Sequence, residues 1–156
     1  MPMFHGCDQE RGARSSTENV HSILGMEKAL EISIARMEKD QQHILKIKDY
    51  FIAELQKLDS RIQFNGHSSD PDKGTYTLLN VRFPIQNEML LFSLDMAGIA
   101  VSGGSACQSG SQNGSHVLQE ILSATEVAKT SIRFSFSKYT TQQEIDATIL
   151  KLQEIV

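Results

Sequence analysis

The chain has 156 residues, 40% of them hydrophobic and 22% charged, with a formal net charge of −4. This length predicts one domain with a sizeable core, and the scattered Lys and Arg argue against binding to nucleic acid or to an anionic membrane surface. No apolar run reaches the roughly 20 residues of a membrane span, and no secretory signal core is visible. Two cysteines form neither a disulfide framework nor a four-ligand zinc site. We therefore expect a cytoplasmic protein without a bound metal.

The first predicted element is a long linking helix over residues 18–58, after an irregular segment at 1–17. Unbroken, it would span roughly 60 Å at 1.5 Å per residue, more than the diameter of about 40 Å expected for a compact chain of this length. We expect it either to break, near Gly25 or Gln41, or to pack on something outside this chain. Nine of twelve positions at three- and four-residue spacing are apolar, which predicts one buried face: Val20, Ile23, Glu27, Leu30, Ile34, Met37, Gln41, Ile44, Lys48, Phe51, Leu55 and Leu58.

Residues 59–156 predict a small domain of mixed elements. Pro84 ends the first strand, Asn87 and Gly98 are the expected caps of the following helix, and Thr140 or Thr141 with Glu144 predicts a capping box. The predicted elements are a loop at 65–74, strands at 75–83, 99–102 and 131–137, and helices at 87–97, 115–122 and 141–155. This order predicts an α+β fold, with helices on one face of a small, mostly antiparallel sheet.

The most informative segment is 101–118, VSGGSACQSGSQNGSHVL, which places Cys107 in a run of Gly and Ser between predicted strands. A structural cysteine usually has apolar neighbours, whereas a thiol in a solvated, small-residue loop is accessible for chemistry. The alternative is a chance cysteine in a flexible connection. Small flanking residues let a backbone swing or approach a ligand closely, so this loop is suited to carry a nucleophilic sulfur between two sites, and we expect it to be mobile.

Two further residues qualify as site candidates. Arg133 lies between Ile132 and Phe134 in a predicted strand, so it points to the other face of the sheet. It is either an ordinary exposed strand arginine or a guanidinium that grips a carboxylate through paired hydrogen bonds. His116 follows Cys107 by nine residues, which leaves a cysteine hydrolase as a distant alternative.

Four segments in order carry a resemblance: QERGARSSTEN at 9–19, LLNVRFP at 78–84, MAGIAVSGGSACQSGS at 96–111 and TSIRFSFSKYTTQQEID at 130–146. Together they resemble the C-terminal part of a cysteine desulfurase of the iron–sulfur-assembly group, a pyridoxal-phosphate enzyme that takes sulfur from L-cysteine and releases L-alanine. The likeness covers nearly the whole chain. It implies the small domain of a fold-type-I enzyme, and a two-fold homodimer.

The resemblance also implies roles by position. Cys107 matches the cysteine that accepts sulfur as a persulfide, and Arg133 matches the arginine that binds the substrate carboxylate. Thr17 matches the threonine that contacts the cofactor phosphate across the dimer interface. The implied partners are L-cysteine and a sulfur-acceptor or iron–sulfur scaffold protein.

One expected part of such an enzyme has no match in this chain. Pyridoxal-phosphate enzymes of this fold need a lysine that holds the cofactor, and the family places it before the QERG segment. None of the lysines here stands in a matching context: Lys28, Lys39, Lys46, Lys48, Lys57, Lys73, Lys129, Lys138 and Lys151. We therefore expect a desulfurase fragment that is inactive by itself. The alternative is an autonomous module that accepts a persulfide on Cys107 from another enzyme.

Overall fold

The computed structural model describes residues 4–6, 9–104 and 115–156. Within these ranges the chain forms five α-helices and four β-strands, preceded by a 3₁₀ turn at Glu10–Gly12. The helices are α1 (Val20–Leu58), α2 (Leu90–Met96), α3 (His116–Ile121), α4 (Ala124–Val127) and α5 (Gln142–Ile155). The strands are β1 (Gln63–Phe64), β2 (Leu78–Arg82), β3 (Ser102–Gly103) and β4 (Ser131–Ser135). The chain divides into two compact units, Met1–Glu38 and Lys39–Val156.

Helix α1 runs without a break from Val20 to Leu58, through Gly25 and Gln41. Its buried residues all belong to the second unit: Ile44, Ile47, Lys48, Phe51 and Leu55. The large apolar side chains of its first half are exposed: Val20, Ile23, Leu24, Met26, Leu30, Ile32, Ile34 and Met37. The expected buried face is therefore present only from Ile44 onward.

The four strands form one antiparallel sheet in the order β1-β2-β4-β3. Alternate side chains of a strand point to opposite faces. In β2 and β4 the residues of one face are buried, namely Leu79, Val81, Ile132 and Phe134. Asn80 and Arg133 alternate with them and therefore lie on the other face.

The core lies on the buried face of this sheet. It is built from the second half of α1, from α2 and from α5, and its helical members are Ile44, Ile47, Phe51, Leu55, Leu90, Leu94, Ile145, Ile149 and Leu152. Phe51 packs edge-on against Phe134 and Phe136, with ring centroids 4.9 and 6.0 Å apart. The expected fold, helices on one face of a small antiparallel sheet, is confirmed.

The sequence predicted the ends of some helices and strands correctly and those of others wrongly. Thr141 and Glu144 form the predicted capping box of α5. The C-cap of α2 is Ala97, and Gly98 follows it in the left-handed conformation, with φ of 77°. Asn87 is not the N-cap of α2, because the helix begins at Leu90; its side chain accepts a hydrogen bond from the Met89 N–H instead. Strand β3 is shorter than predicted, and neither β1 nor α4 was foreseen, because elements this short have too few residues to show a period.

The loop between β1 and β2 leaves no space for a side chain at Gly74. A Cβ there would lie 2.2 Å from the His67 carbonyl oxygen and 2.9 Å from that of Asp70. Both contacts are with backbone atoms, so the loop would have to shift. We expect Gly74→Ala to lower the free energy of unfolding by about 1–3 kcal/mol, the usual cost of overpacking, as measured by urea denaturation.

Gly25→Ala is the matched control. Gly25 lies in α1, and a Cβ there meets no atom within 4 Å. Because alanine is the better helix former by about 1 kcal/mol, this variant should be at least as stable as the parent. Equal stability of the Gly74→Ala variant and the parent would contradict the crowding at the loop.

Candidate functional site

Arg133 lies in the middle of β4, on the sheet face that points away from the core. Its side chain is half-buried, and within the described residues the guanidinium forms no hydrogen bond or ion pair. A guanidinium is always charged and offers five N–H donors that match a carboxylate. Such a group, partly withdrawn from water and without a protein acceptor, is suited to bind an anion from outside the described chain.

Arg133 is the centre of a polar row that crosses three strands. Asn80 of β2 and Ser102 of β3 are its direct neighbours in the antiparallel register. Opposed residues of this kind have Cβ atoms about 4.5–5.5 Å apart. The three side chains therefore border one patch of the exposed sheet face.

A hydrogen-bonded network holds one side of this patch. Asn65, which is buried, donates from Nδ2 to Asn80 Oδ1 at 2.9 Å and to Ser131 Oγ at 3.0 Å. Its own Oδ1 accepts a hydrogen bond from Arg82 Nη1. Since a guanidinium only donates, this contact determines which end of the Asn65 amide is oxygen.

Arg82 is in turn neutralised by an acidic residue. Its Nε lies 2.9 Å from Glu126 Oε2, and Lys129 Nζ lies 2.6 Å from Glu126 Oε1. The hydrogen bond from Lys129, then its charge and that of Arg82, lower the pKa of the Glu126 carboxyl. Arg82 is thus paired on this face, whereas Arg133 has no partner in the part of the chain that the structure describes.

Cys107 lies outside the described residues. The expectation that its loop is mobile concerns the same segment and also falls outside them. The described part of the chain includes β3, which pairs with β4 at Arg133 and Ile132 and leads two residues later into the segment with Cys107. His116 is the first residue of α3 and is exposed. Nothing described relates His116 to Cys107.

Thr17 belongs to the first unit and is exposed, three residues before α1 begins. The same turn carries a local cap, in which Asn19 Oδ1 accepts a hydrogen bond from the Ser22 N–H. A free hydroxyl before a helix N-terminus suits a phosphate group, because the first N–H groups of a helix favour anions. Thr17 therefore fits a phosphate contact in its chemistry.

Lys48 is the buried lysine among the described residues, and it is not placed to hold a cofactor aldehyde. Lys48 is 2% exposed, and its Nζ donates to the Thr75 carbonyl oxygen at 2.9 Å. Burial lowers the pKa of this ammonium, while the charge of Asp49 raises it. Through this hydrogen bond to Thr75, Lys48 attaches α1 to the loop before β2. Thr17 thus fits the phosphate end of pyridoxal phosphate, and Lys48 does not fit its point of attachment.

A separate cavity of about 360 Å³ lies between residues 97–101, the end of β4 and the start of α5. Phe51, Phe134 and Phe136 line it on the core side, and Arg133 does not contribute. Glu144 also lines it, but its carboxylate is engaged in the capping box of α5. The cavity therefore offers apolar surface without a free charged group.

The sequence of this chain matches an established group of enzymes. A family model described as aminotransferase class-V matches residues 5–148. The chain belongs to the class-V aminotransferase family, whose members use pyridoxal phosphate. The fold-type-I expectation and the family assignment are thereby confirmed.

Within this family, the chain is similar to cysteine desulfurases. It is 39% identical over 157 residues to cysteine desulfurase IscS of Dictyoglomus turgidum, covering 99% of this chain and 39% of that protein. It is 40% identical over 160 residues to IscS of Acinetobacter baumannii, covering 97% and 38%. A solved NifS-like protein superposes with a TM-score of 0.76 at 30% identity, over 99% of this chain and 38% of that one. The NifS-like protein of Rickettsia africae gives 0.74 at 27%, over 99% and 39%.

The chain therefore spans about two fifths of the length of the curated relatives it matches. No helix in the described ranges is long and apolar enough to cross a membrane. Asn80 and Asn65 were not among the residues proposed from the sequence. The alternation in LLNVRF places Asn80 on the exposed face, but only the strand register shows that its neighbour is Arg133.

Proposed function

We propose that this chain is the sulfur-accepting and carboxylate-binding part of a cysteine desulfurase. The observation that carries the proposal is the guanidinium of Arg133, which is half-buried, has no acceptor within residues 4–6, 9–104 and 115–156, and lies one strand from the base of the segment with Cys107. The pairing of β3 with β4 at Arg133 supports a role for Arg133 in binding the substrate carboxylate, beside the start of the segment that would receive the sulfur. L-cysteine is the substrate, and the product on this chain is a persulfide.

In the proposed reaction, Arg133 holds the carboxylate and the Cys107 thiolate attacks the sulfur of the substrate cysteine. A new S–S bond forms, the substrate C–S bond breaks, and its electron pair remains on the substrate carbon, which takes up a proton to become L-alanine. Pyridoxal phosphate supplies the electron sink for this cleavage when it is bound. Attack needs the thiolate, so a base or a lowered thiol pKa must assist Cys107.

The other assignments follow the same proposal. Thr17 contacts the cofactor phosphate in a two-fold homodimer, and the sulfur passes from Cys107 to an acceptor or iron–sulfur scaffold protein in the cytoplasm. The lysine that holds the cofactor is supplied by residues other than 1–156. Residues 1–17, 18–58 and 59–156 act as junction segment, linking helix and small domain.

The purified chain tests this directly. Incubated with L-cysteine, pyridoxal phosphate and a reducing thiol, it should release no L-alanine, and it should keep no cofactor absorbance after desalting. Fusion behind the upstream part of the Dictyoglomus turgidum relative should restore both. Alanine release by the unfused chain would contradict the proposal, since one of its own lysines would then hold the cofactor.

The second candidate function is an autonomous persulfide carrier. One side of the polar row around Arg133 is held by hydrogen bonds among this chain's own residues, which is the observation in its favour. Labelled sulfur from an unrelated desulfurase should then reach Cys107 of the unfused chain. Absence of label there, with an active fusion, favours the desulfurase assignment.

A further inference from the structure

The polar row contains a second unpaired donor beside Arg133. Asn80 is half-buried on the same sheet face, directly opposite Arg133. Its Oδ1 accepts the hydrogen bond from Asn65 at 2.9 Å. Its Nδ2 has no hydrogen-bond acceptor among the described residues. An amide nitrogen offers two donors and no acceptor, so this end of Asn80 is open to a ligand.

The orientation of the Asn80 amide follows from a series of hydrogen bonds in which each donor and each acceptor is fixed by the previous one. Arg82 can only donate, so Asn65 must present its oxygen to Arg82 and its nitrogen to Asn80. Asn80 must then present its oxygen to Asn65, which turns its nitrogen away. A flipped Asn80 would place two donor groups against each other inside a buried network, at the cost of an unsatisfied polar pair.

We propose that Asn80 is a second carboxylate-binding residue, whose Nδ2 donates to the same substrate carboxylate as Arg133. Two donors without acceptors lie side by side on one patch of the sheet, and the ligand that satisfies both is an anion with two oxygens. Asn65 is the positioning residue, since it holds the Asn80 amide in this orientation. The inference rests on the proposed function and names a further contact of the same substrate.

The test is an NMR titration of the full chain with L-alanine, the carboxylate-bearing product, up to tens of millimolar. We expect the Arg133 Nε–H and Asn80 Nδ2–H₂ resonances to shift together along one binding curve. L-alaninamide, which lacks the carboxylate, should shift neither. Asn80→Ala should raise the Kd for L-alanine about tenfold, the usual effect of one hydrogen bond to a charged group.

Three further variants separate binding from folding. Asn80→Asp keeps the size and the oxygen that faces Asn65 but replaces the donor by a carboxylate, so it should abolish binding through repulsion of the ligand. Ser135→Ala, at an exposed position of β4 on the same face as Arg133, should leave the Kd unchanged. If Asn65 acts only through Asn80, the Asn65→Ala, Asn80→Ala double variant should bind no more weakly than Asn80→Ala alone.

The outcomes distinguish this inference from the proposed function. A shift at Arg133 with none at Asn80, or an unchanged Kd in Asn80→Ala, overturns the role of Asn80 and leaves the desulfurase assignment standing. Equal shifts with L-alaninamide overturn carboxylate recognition by the row. No shift at either residue overturns both the role of Asn80 and the carboxylate site that the proposed function requires.

Discussion

Replacement of Cys107 by alanine should abolish sulfur transfer in the fused enzyme. The persulfide forms only if a thiolate attacks the substrate sulfur, and no other group of the proposed site can take that role. We expect L-alanine release to fall by more than a hundredfold, roughly as for other enzymes that lose a covalent nucleophile. The intact-mass spectrum after reaction with L-cysteine should lose the species heavier by one sulfur atom.

Cys7→Ser is the matched control, because Cys7 is the second cysteine of the chain. It should keep both alanine release and the added sulfur. Sulfur retained on the Cys107→Ala variant and lost from the Cys7→Ser variant would move the acceptor to the N-terminal segment. Unchanged far-UV circular dichroism in both variants would show that the comparison concerns chemistry rather than folding.

Phe51→Ala should cause the largest loss of stability among single substitutions in the core. Phe51 is fully buried and contacts the rings of Phe134 and Phe136 at 4.9 and 6.0 Å between centroids. Removal of such a ring costs about 3–5 kcal/mol, because apolar burial is lost and a cavity remains. Against a total stability of roughly 5–15 kcal/mol, urea denaturation should show the variant close to unfolding.

Phe92→Ala tests whether burial is the cause. Phe92 is 55% exposed on α2, so its truncation should change the free energy of unfolding by no more than about 0.5 kcal/mol. Similar losses for both variants would contradict the assigned core. Phe51 packs on Phe134, which directly follows Arg133 in β4. Loss of the Phe51 ring should therefore also broaden the Arg133 resonances.

Strong local patterns made most of the fold predictable. The three- and four-residue spacing of apolar side chains indicated α1, and the alternation in SIRFS indicated β4 with Arg133 on the face opposite Ile132 and Phe134. The Thr141 and Glu144 capping box depends on four consecutive residues, so it is visible without tertiary structure. The shortest elements, β1 and α4, were missed because packing rather than pattern maintains them.

The sequence by itself determined the helix-on-sheet architecture, because this depends on residue types and periods along the chain. Four segments in order carried the resemblance to the family, and the resemblance implied the candidate roles of Cys107, Arg133 and Thr17. Only the tertiary structure decided that Asn80 and Ser102 flank Arg133, and that Asn65 and Arg82 orient the Asn80 amide. The physical reason is that strand register and hydrogen-bond direction join residues far apart in sequence. Asn65 reaches Ser131 across 66 positions, and no local pattern encodes such a contact.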